Sequence, residues 1–160
     1  MEKVVALQYE WVKDARAALF TYCEILSPGA LVKQLDGFGG GSIRGLLIHV
    51  ANTYEFWLGR FAQQSSEAFP KAETVHQVAA IREVYAQVDA LVEQFRQRFQ
   101  GKWELPITGT NLAKDQAITA TPLKLFTHVL THEFHHKGQI LSMSRQLGYL
   151  PPDTDVIRFA

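Results

Sequence analysis

The predicted fold rests on the stretch TPLKLFTHVLTHEFHHKGQILSMSRQLG, residues 121–148. Thr121 is a good N-cap and Pro122 suits the first helical position, while Gly148 provides a C-terminal stop. Between these signals, apolar residues recur every three or four positions, which is the spacing of one buried helical face. The stretch therefore predicts one long helix with an inward-facing apolar stripe.

Three other segments show the same periodicity. Their apolar positions are Val4, Leu7, Trp11, Ala15, Ala18, Tyr22 and Ile25 in the first, Ile43, Leu46, Val50, Tyr54, Trp57 and Phe61 in the second, and Val75, Val78, Ile81, Tyr85, Val88, Val92, Phe95 and Phe99 in the third. Four helices with one stripe each predict an all-α fold, a four-helix bundle, with residues 1–160 as a single domain.

Two connections between these segments differ from short helix–helix turns. The glycines at 39–41 are interpreted as a flexible turn before the second helix, with Ser42 as its N-cap. Residues 102–119 are long for a helix connection. We expect them to form a short extended piece or a loop that crosses the end of the bundle.

Charge and composition argue against several classes of partner. Lys and Arg together number 16, as do Asp and Glu, and no basic cluster stands out, so we expect no nucleic-acid binding. The apolar runs are shorter than the ~18 residues of a membrane span, and the first residues lack a secretory signal pattern. The lone cysteine, Cys23, suits a cytoplasmic protein, and we expect it to be a buried, inert thiol.

Histidines mark the border of the apolar face in two of the predicted helices. His132 and His136 are four residues apart and share one helical face, and His49 has a comparable position in the second segment. Imidazoles on a mostly apolar surface need a hydrogen-bond partner or a metal. The three histidines are therefore the predicted ligands of zinc, nickel, copper or iron, with a position left open for water or substrate. His128 and His135, on the polar edge, are alternative ligands.

Two motifs are similar to those of a known family. Leu-Leu-Ile-His-Val-Ala-Asn at 46–52 precedes His-Glu-Phe-His-His-Lys-Gly-Gln-Ile at 132–140, which contains the pattern His-x-x-x-His-(Arg/Lys)-Gly-Gln. In this order, and in a chain of 160 residues, the motifs resemble those of the DinB/YfiT-like metalloenzymes. The resemblance covers essentially the whole chain.

The resemblance implies a fold, a metal site and cofactors. It implies a four-helix bundle that binds one divalent metal through His49, His132 and His136 and often assembles as a homodimer. Zinc and nickel are the leading metals and iron is another. Some relatives use a low-molecular-weight thiol, such as bacillithiol or mycothiol, in transferase or isomerase chemistry, and others are stress-associated proteins. Such a thiol is accordingly a candidate cofactor here.

The neighbours of the histidines have alternative interpretations. Gln139 either hydrogen-bonds a ligand histidine or a metal-bound water, or lies at the surface. Glu133 either orients His49 or acts as a base, or makes a hydrogen bond within the bundle. Close helix approach would explain the mid-helix Gly138, and Tyr54 is expected in the core. A second apolar stripe on the last helix is expected to be buried in the bundle, with a dimer interface as the alternative; it comprises Leu123, Phe126, Leu130, Phe134 and Leu141.

The sequence favours a metal-dependent enzyme that acts on a small molecule. A metal held by three histidines would activate water or a low-molecular-weight thiol, which predicts a hydrolase or a thiol S-transferase. The alternative is a non-catalytic, stress-associated bundle in which the metal is structural. A third hypothesis is a metal-free ligand-binding bundle in which the same histidines are polar groups of a pocket.

Overall fold

Five α-helices make up most of the chain in the computed structural model, which describes residues 1–38, 41–111 and 116–158. The helices are α1 (Glu2–Cys23), α2 (Pro28–Val32), α3 (Ile43–Tyr54), α4 (Val78–Arg98) and α5 (Pro122–Gln146). Four of them, α1, α3, α4 and α5, correspond to the four predicted segments. The predicted turn at 39–41 lies partly outside the described residues. None of the helices in these ranges is long and apolar enough to span a membrane.

The ends of α5 and the start of α3 follow the predicted capping residues. The Thr121 hydroxyl accepts a hydrogen bond from the Lys124 amide at 3.2 Å, and the Ser42 hydroxyl accepts one from the Gly45 amide at 3.0 Å. Gly148 has a φ of +87°, a left-handed conformation that favours glycine after a helix. The predicted N-caps and C-terminal stop are therefore confirmed.

The second predicted helix changes its winding beyond α3. The backbone continues as a π-helical segment over Glu55–Phe61, where hydrogen bonds join residues five apart. Such segments are rare and often lie at functional sites. In this protein the segment carries Phe61, whose ring lies against Gly109, and Trp57, which lines a cavity together with Ile118.

An antiparallel strand pair occupies the long connection before α5. Strand β1 (Ile107–Asn111) pairs with β2 (Gln116–Ala120), in agreement with the extended piece that the sequence allows. A Cβ at Gly109 would lie 2.9 Å from the Phe61 ring, so glycine lets β1 lie this close to the π-helical segment. The all-α expectation is incomplete, because the fold is mostly helical but includes this small sheet.

The helices pack around a core that the sequence predicts in large part. Helix α3 packs against α4 and α5, and α1 packs against the same two helices. All the predicted core positions of the third segment are buried. The second stripe on α5 also faces the core. Phe126 is fully buried, and four partly buried residues pack against the core: Leu123, Leu130, Phe134 and Leu141.

The buried face of α1 differs from the predicted one. Val4, Leu7, Trp11 and Ile25 are predicted as core but are between 42% and 68% exposed. The buried apolar side of α1 comprises Val5, Tyr9, Val12, Ala15, Leu19, Phe20, Tyr22 and Cys23. The prediction was wrong at these four positions and right at Ala15 and Tyr22, because α1 carries two adjacent apolar stripes and periodicity alone does not choose between them. Arg16 lies on the buried stripe, where its ionic contacts hold it inward.

A buried ion pair connects the four long helices. The Arg16 guanidinium on α1 donates two hydrogen bonds to the Glu133 carboxylate on α5, from Nε to Oε1 at 2.7 Å and from Nη2 to Oε2 at 3.0 Å. Its Nη1 also donates to Asp89 Oδ1 on α4 at 2.7 Å, and the Tyr54 hydroxyl on α3 donates to Glu133 Oε2 at 2.6 Å. Arg16 and Glu133 are 5% and 8% exposed, so each charge depends on these partners in place of water.

Arg16→Ala is expected to lower the free energy of unfolding by about 3–5 kcal/mol, because it leaves the Glu133 carboxylate buried without its cation. The matched control is Arg82→Ala, which removes a more exposed ion pair that joins α4 to α1 through Glu24. The control should cost less than about 1 kcal/mol. Urea unfolding followed by circular dichroism measures both losses, and equal losses would contradict the assigned importance of the buried pair.

Candidate metal centre

The packing of α3 against α5 brings three histidines together. His49 lies on α3, and His132 and His136 lie one turn apart on α5. One nitrogen of each ring lies within 4.8 Å of those of the other two, and Nε2 of His49 is 3.2 Å from Nε2 of His132. The three residues predicted from the sequence therefore form one cluster, the histidine cluster.

The histidine cluster fits a transition-metal ion by its donor chemistry and spacing. Imidazole nitrogens bind zinc at about 2.0–2.1 Å, so two such ligands on a tetrahedral ion lie roughly 3.3 Å apart. The separation of 3.2 Å between the Nε2 atoms of His49 and His132 is close to that value. His136 completes a donor set of three nitrogens that could hold a metal ion.

The cluster is open on one side. His49 is exposed, His132 is half-buried and His136 is buried. Solvent and small molecules can therefore reach the cluster beside His49, while the protein shields it at His136.

Burial keeps the three imidazoles in their uncharged form. It lowers the pKa of His132 to about 4, and the neighbouring His136 and His49 rings act in the same direction. Partial loss of water around the ring, even at the more exposed His49, is also the main cause of the lowered pKa values of His49 and His136. At neutral pH the rings are therefore uncharged, which is the form that binds a metal.

Gln139 fixes the tautomer of His136. The amide oxygen of Gln139 accepts a hydrogen bond from Nδ1 of His136 at 2.7 Å. Because Nδ1 carries the proton, Nε2 keeps its lone pair for another ligand. The sequence left two interpretations of Gln139 open, and the structure agrees with the hydrogen bond to a histidine of the cluster.

Thr53 is a neighbour of the cluster that was not predicted from the sequence. Its hydroxyl oxygen lies 3.2 Å from Nε2 of His132, and the hydroxyl donates to the His49 carbonyl at 2.9 Å. The available signal was its position four residues after His49, on the same helical face. The hydroxyl adds a polar group beside two of the three imidazoles.

Three other residues of the histidine-rich motif on α5 are Glu133, Gly138 and Lys137. Both oxygens of Glu133 are bound within the core by the buried ion pair and Tyr54, which agrees with a hydrogen bond within the bundle. Close helix approach does not explain Gly138, because outside its own helical turn no described residue has an atom within 4 Å of a Cβ placed there. Lys137 is buried and donates a hydrogen bond to the Thr154 carbonyl, which ties the C-terminal stretch to α5.

The two alternative histidines lie at the edges of the cluster. The ring centroid of His128 is 5.7 Å from that of His132 and 5.4 Å from that of Trp57. His135 is exposed, and its ring centroid lies 4.9 Å from that of His136. Within the described ranges, neither belongs to the group of histidines close enough to share a metal ion.

Cys23 is not placed to act as a nucleophile. Its side chain is 1% exposed, and burial raises the pKa of the thiol to about 12. Since the thiolate is the reactive form, this thiol is inert at neutral pH. The expectation of a buried, unreactive cysteine is confirmed.

Comparison with known proteins agrees with the motifs around the cluster. A protein-family model described as the DinB family matches residues 1–160. The match covers the whole chain and includes all three histidines of the cluster. No curated protein gives a match.

Proposed function

Since the chain belongs to the DinB family, we propose that it is a metal-dependent enzyme that binds one divalent transition metal. The proposed ligands are His49, His132 and His136. The observation that carries the proposal is the convergence of three uncharged imidazoles from two helices, with donor atoms within 4.8 Å of one another. Zinc and nickel are the leading candidates and iron is another, since each accepts imidazole ligands.

The donor set and its exposure suit catalysis on a small molecule. Three protein ligands leave a position for a further ligand, as in catalytic zinc sites. A metal ion held there lowers the pKa of water or of a low-molecular-weight thiol, which is the chemistry of a hydrolase or a thiol S-transferase. The open side at His49 lets substrate and thiol approach, Gln139 holds the His136 ring, and Thr53 offers a hydroxyl beside them.

The alternative, a stress-associated bundle with a structural metal, has less support. Helices α3 and α5 are already joined by packing and by the hydrogen bond from Tyr54 to Glu133 at 2.6 Å. A structural metal supplies folding energy that the apolar core lacks. Here the cluster lies at the edge of an extensive buried core, so we propose that the metal serves chemistry rather than folding.

Untagged wild-type protein is expected to contain about one transition-metal ion per chain, and the triple variant His49→Ala, His132→Ala, His136→Ala is expected to contain essentially none. The variant removes every proposed ligand. Elemental analysis by mass spectrometry measures the metal content. The matched control, His76→Ala with His135→Ala, removes two exposed imidazoles outside the cluster and should keep the metal. Equal metal content in the triple variant and the wild type would refute the proposed ligands.

The same proteins separate a catalytic metal from a structural one. If the metal is catalytic, protein stripped with a chelator should remain folded and unfold cooperatively in urea, because the apolar core does not depend on the metal. Added metal then raises the stability of either kind of protein by mass action, so the folding of the stripped protein is what distinguishes the two roles. If the metal is structural, the stripped protein should be largely unfolded before urea is added. Circular dichroism of stripped wild-type protein gives the answer, and an unfolded stripped protein would favour the structural alternative.

Gln139→Leu is expected to weaken metal affinity by about 10- to 100-fold, because it removes the hydrogen bond that orients the His136 ring. Competition with a chromophoric chelator measures the affinity. Gln146→Leu, at the exposed end of α5, is the matched control and should leave affinity unchanged. Unchanged affinity in Gln139→Leu would show that the hydrogen bond does not tune the site.

We further propose that α1, α3, α4 and α5 form a single-domain four-helix bundle that acts in the cytoplasm as a homodimer. The lone, buried cysteine supports a reducing compartment. The exposed apolar stripe of α1 supports the homodimer, because large exposed apolar surfaces often mark contacts with other molecules. This stripe comprises Val4, Leu7 and Trp11 on α1, and the exposed Ile25 lies just beyond the end of the helix.

Light scattering of the wild-type protein is expected to give twice the chain mass of 18.0 kDa. Trp11→Glu should give a monomer, because it puts a charge in the centre of the exposed stripe. Lys3→Glu, at a neighbouring exposed position outside the stripe, is the control and should remain a dimer. A monomeric wild-type protein would refute the homodimer.

A further inference from the structure

A cavity adjoins the histidine cluster. It has a volume of about 160 Å³ and lies between the π-helical segment, β2 and the first turns of α5. Its walls are mostly apolar but include one charged side chain; they comprise Trp57, Ile118, Thr119, Ala120, Lys124, Leu125 and His128. Strand β2 supplies three of these residues, so the cavity depends on the part of the fold that is not helical.

His128 connects this cavity to the histidine cluster. Its ring centroid lies 5.4 Å from that of Trp57 in an edge-to-face arrangement, and 5.7 Å from that of His132. His128 and His132 are one turn apart on α5, which corresponds to about 6 Å along the helix. One small molecule is therefore long enough to occupy the cavity and reach the cluster.

The cavity has the size and the surface for an aromatic ring. This cavity is open to solvent on one side, and its volume is similar to the roughly 150 Å³ that holds a benzene molecule in another protein. The Trp57 indole is held by edge-to-face contacts with Phe56 and Phe61, at centroid distances of 4.9 and 5.3 Å. A rigid indole wall favours an aromatic occupant, because aromatic rings stabilise one another in such contacts.

We infer that this cavity is a specificity pocket, which takes the phenyl-sized apolar group of a small-molecule substrate whose reacting group lies at the histidine cluster. The inference rests on the proposed metal-dependent function. Trp57 is the specificity-determining residue, because its indole forms the aromatic wall. His128 is part of the pocket rather than a metal ligand.

Two hydroxamates test the pocket in zinc-loaded protein. Acetohydroxamate and benzohydroxamate share one metal-binding group, but the second has a phenyl group in place of a methyl group. Isothermal titration calorimetry is expected to show that benzohydroxamate binds the wild-type protein about tenfold more tightly. The ratio of the two affinities isolates the contribution of the phenyl group.

Two variants change the pocket in opposite ways. Trp57→Ala removes the aromatic wall and Ala120→Leu fills the cavity, so each should reduce the preference for benzohydroxamate to about twofold or less. Both should leave the affinities for zinc and acetohydroxamate unchanged. Leu150→Ala, which removes an exposed apolar side chain beyond the C-terminal end of α5, is the control and should keep the preference.

A second readout needs no metal. The chain has three tryptophans, so nuclear magnetic resonance of metal-free, ¹⁵N-labelled protein shows one indole N–H signal each for Trp11, Trp57 and Trp103. Benzohydroxamate should shift the Trp57 signal, and acetohydroxamate should not. The other two signals report contacts of the phenyl group elsewhere on the protein.

The outcomes distinguish failure of the pocket from failure of the metal site. Equal affinities of the two hydroxamates, or an unchanged preference in Trp57→Ala and Ala120→Leu, would overturn the pocket and leave the metal site standing. If neither zinc nor acetohydroxamate binds, the metal-dependent function fails. In that case the indole N–H signal of Trp57 decides whether the pocket exists. A shift with benzohydroxamate but not with acetohydroxamate supports the pocket, and no shift overturns it.

Discussion

Arg16 on α1 and Glu133 on α5 form a buried, doubly hydrogen-bonded ion pair at the point where the four long helices meet. Two charges removed from water are stable only when their hydrogen-bonding groups find partners, and the partners here come from all four long helices. The hydrogen bonds of the ion pair fix the rotation of α1 and α5 about their axes. With Glu133 turned inward, His132 and His136 lie at the border of α5 that meets α3, where His49 joins them.

Because of this ion pair, the Glu133 side chain belongs to the core and not to the histidine cluster. Glu133 is next to His132 in the chain, but its carboxylate accepts hydrogen bonds in the interior and stabilises the packing of the helices. The histidines lie outside this network, uncharged and open to solvent on one side. A metal bound to them can therefore keep a position for substrate, because the helices are held together by other contacts.

The non-helical parts of the chain shape the surroundings of the cluster. The π-helical segment carries Trp57, and Gly109 lets β1 pack against Phe61 in the same segment. The segment and strand β2 form one side of the open cavity beside His128. Helices α3 and α5 supply the three histidines, whereas the proposed recognition surface combines the π-helical segment and β2 with the first turns of α5.

Local sequence patterns predict the four long helices, the caps at Ser42 and Thr121, and the three histidines of the cluster. These features depend on local rules, since apolar spacing, capping residues and an i, i+4 pair act within one element. No local pattern predicts which stripe of α1 is buried, where the Glu133 carboxylate points or that Trp57 and β2 line one cavity. These features depend on contacts between residues far apart in the chain. Helix α1 has two apolar stripes of similar character, and the buried one carries Arg16, whose partner Glu133 lies 117 positions later in the sequence.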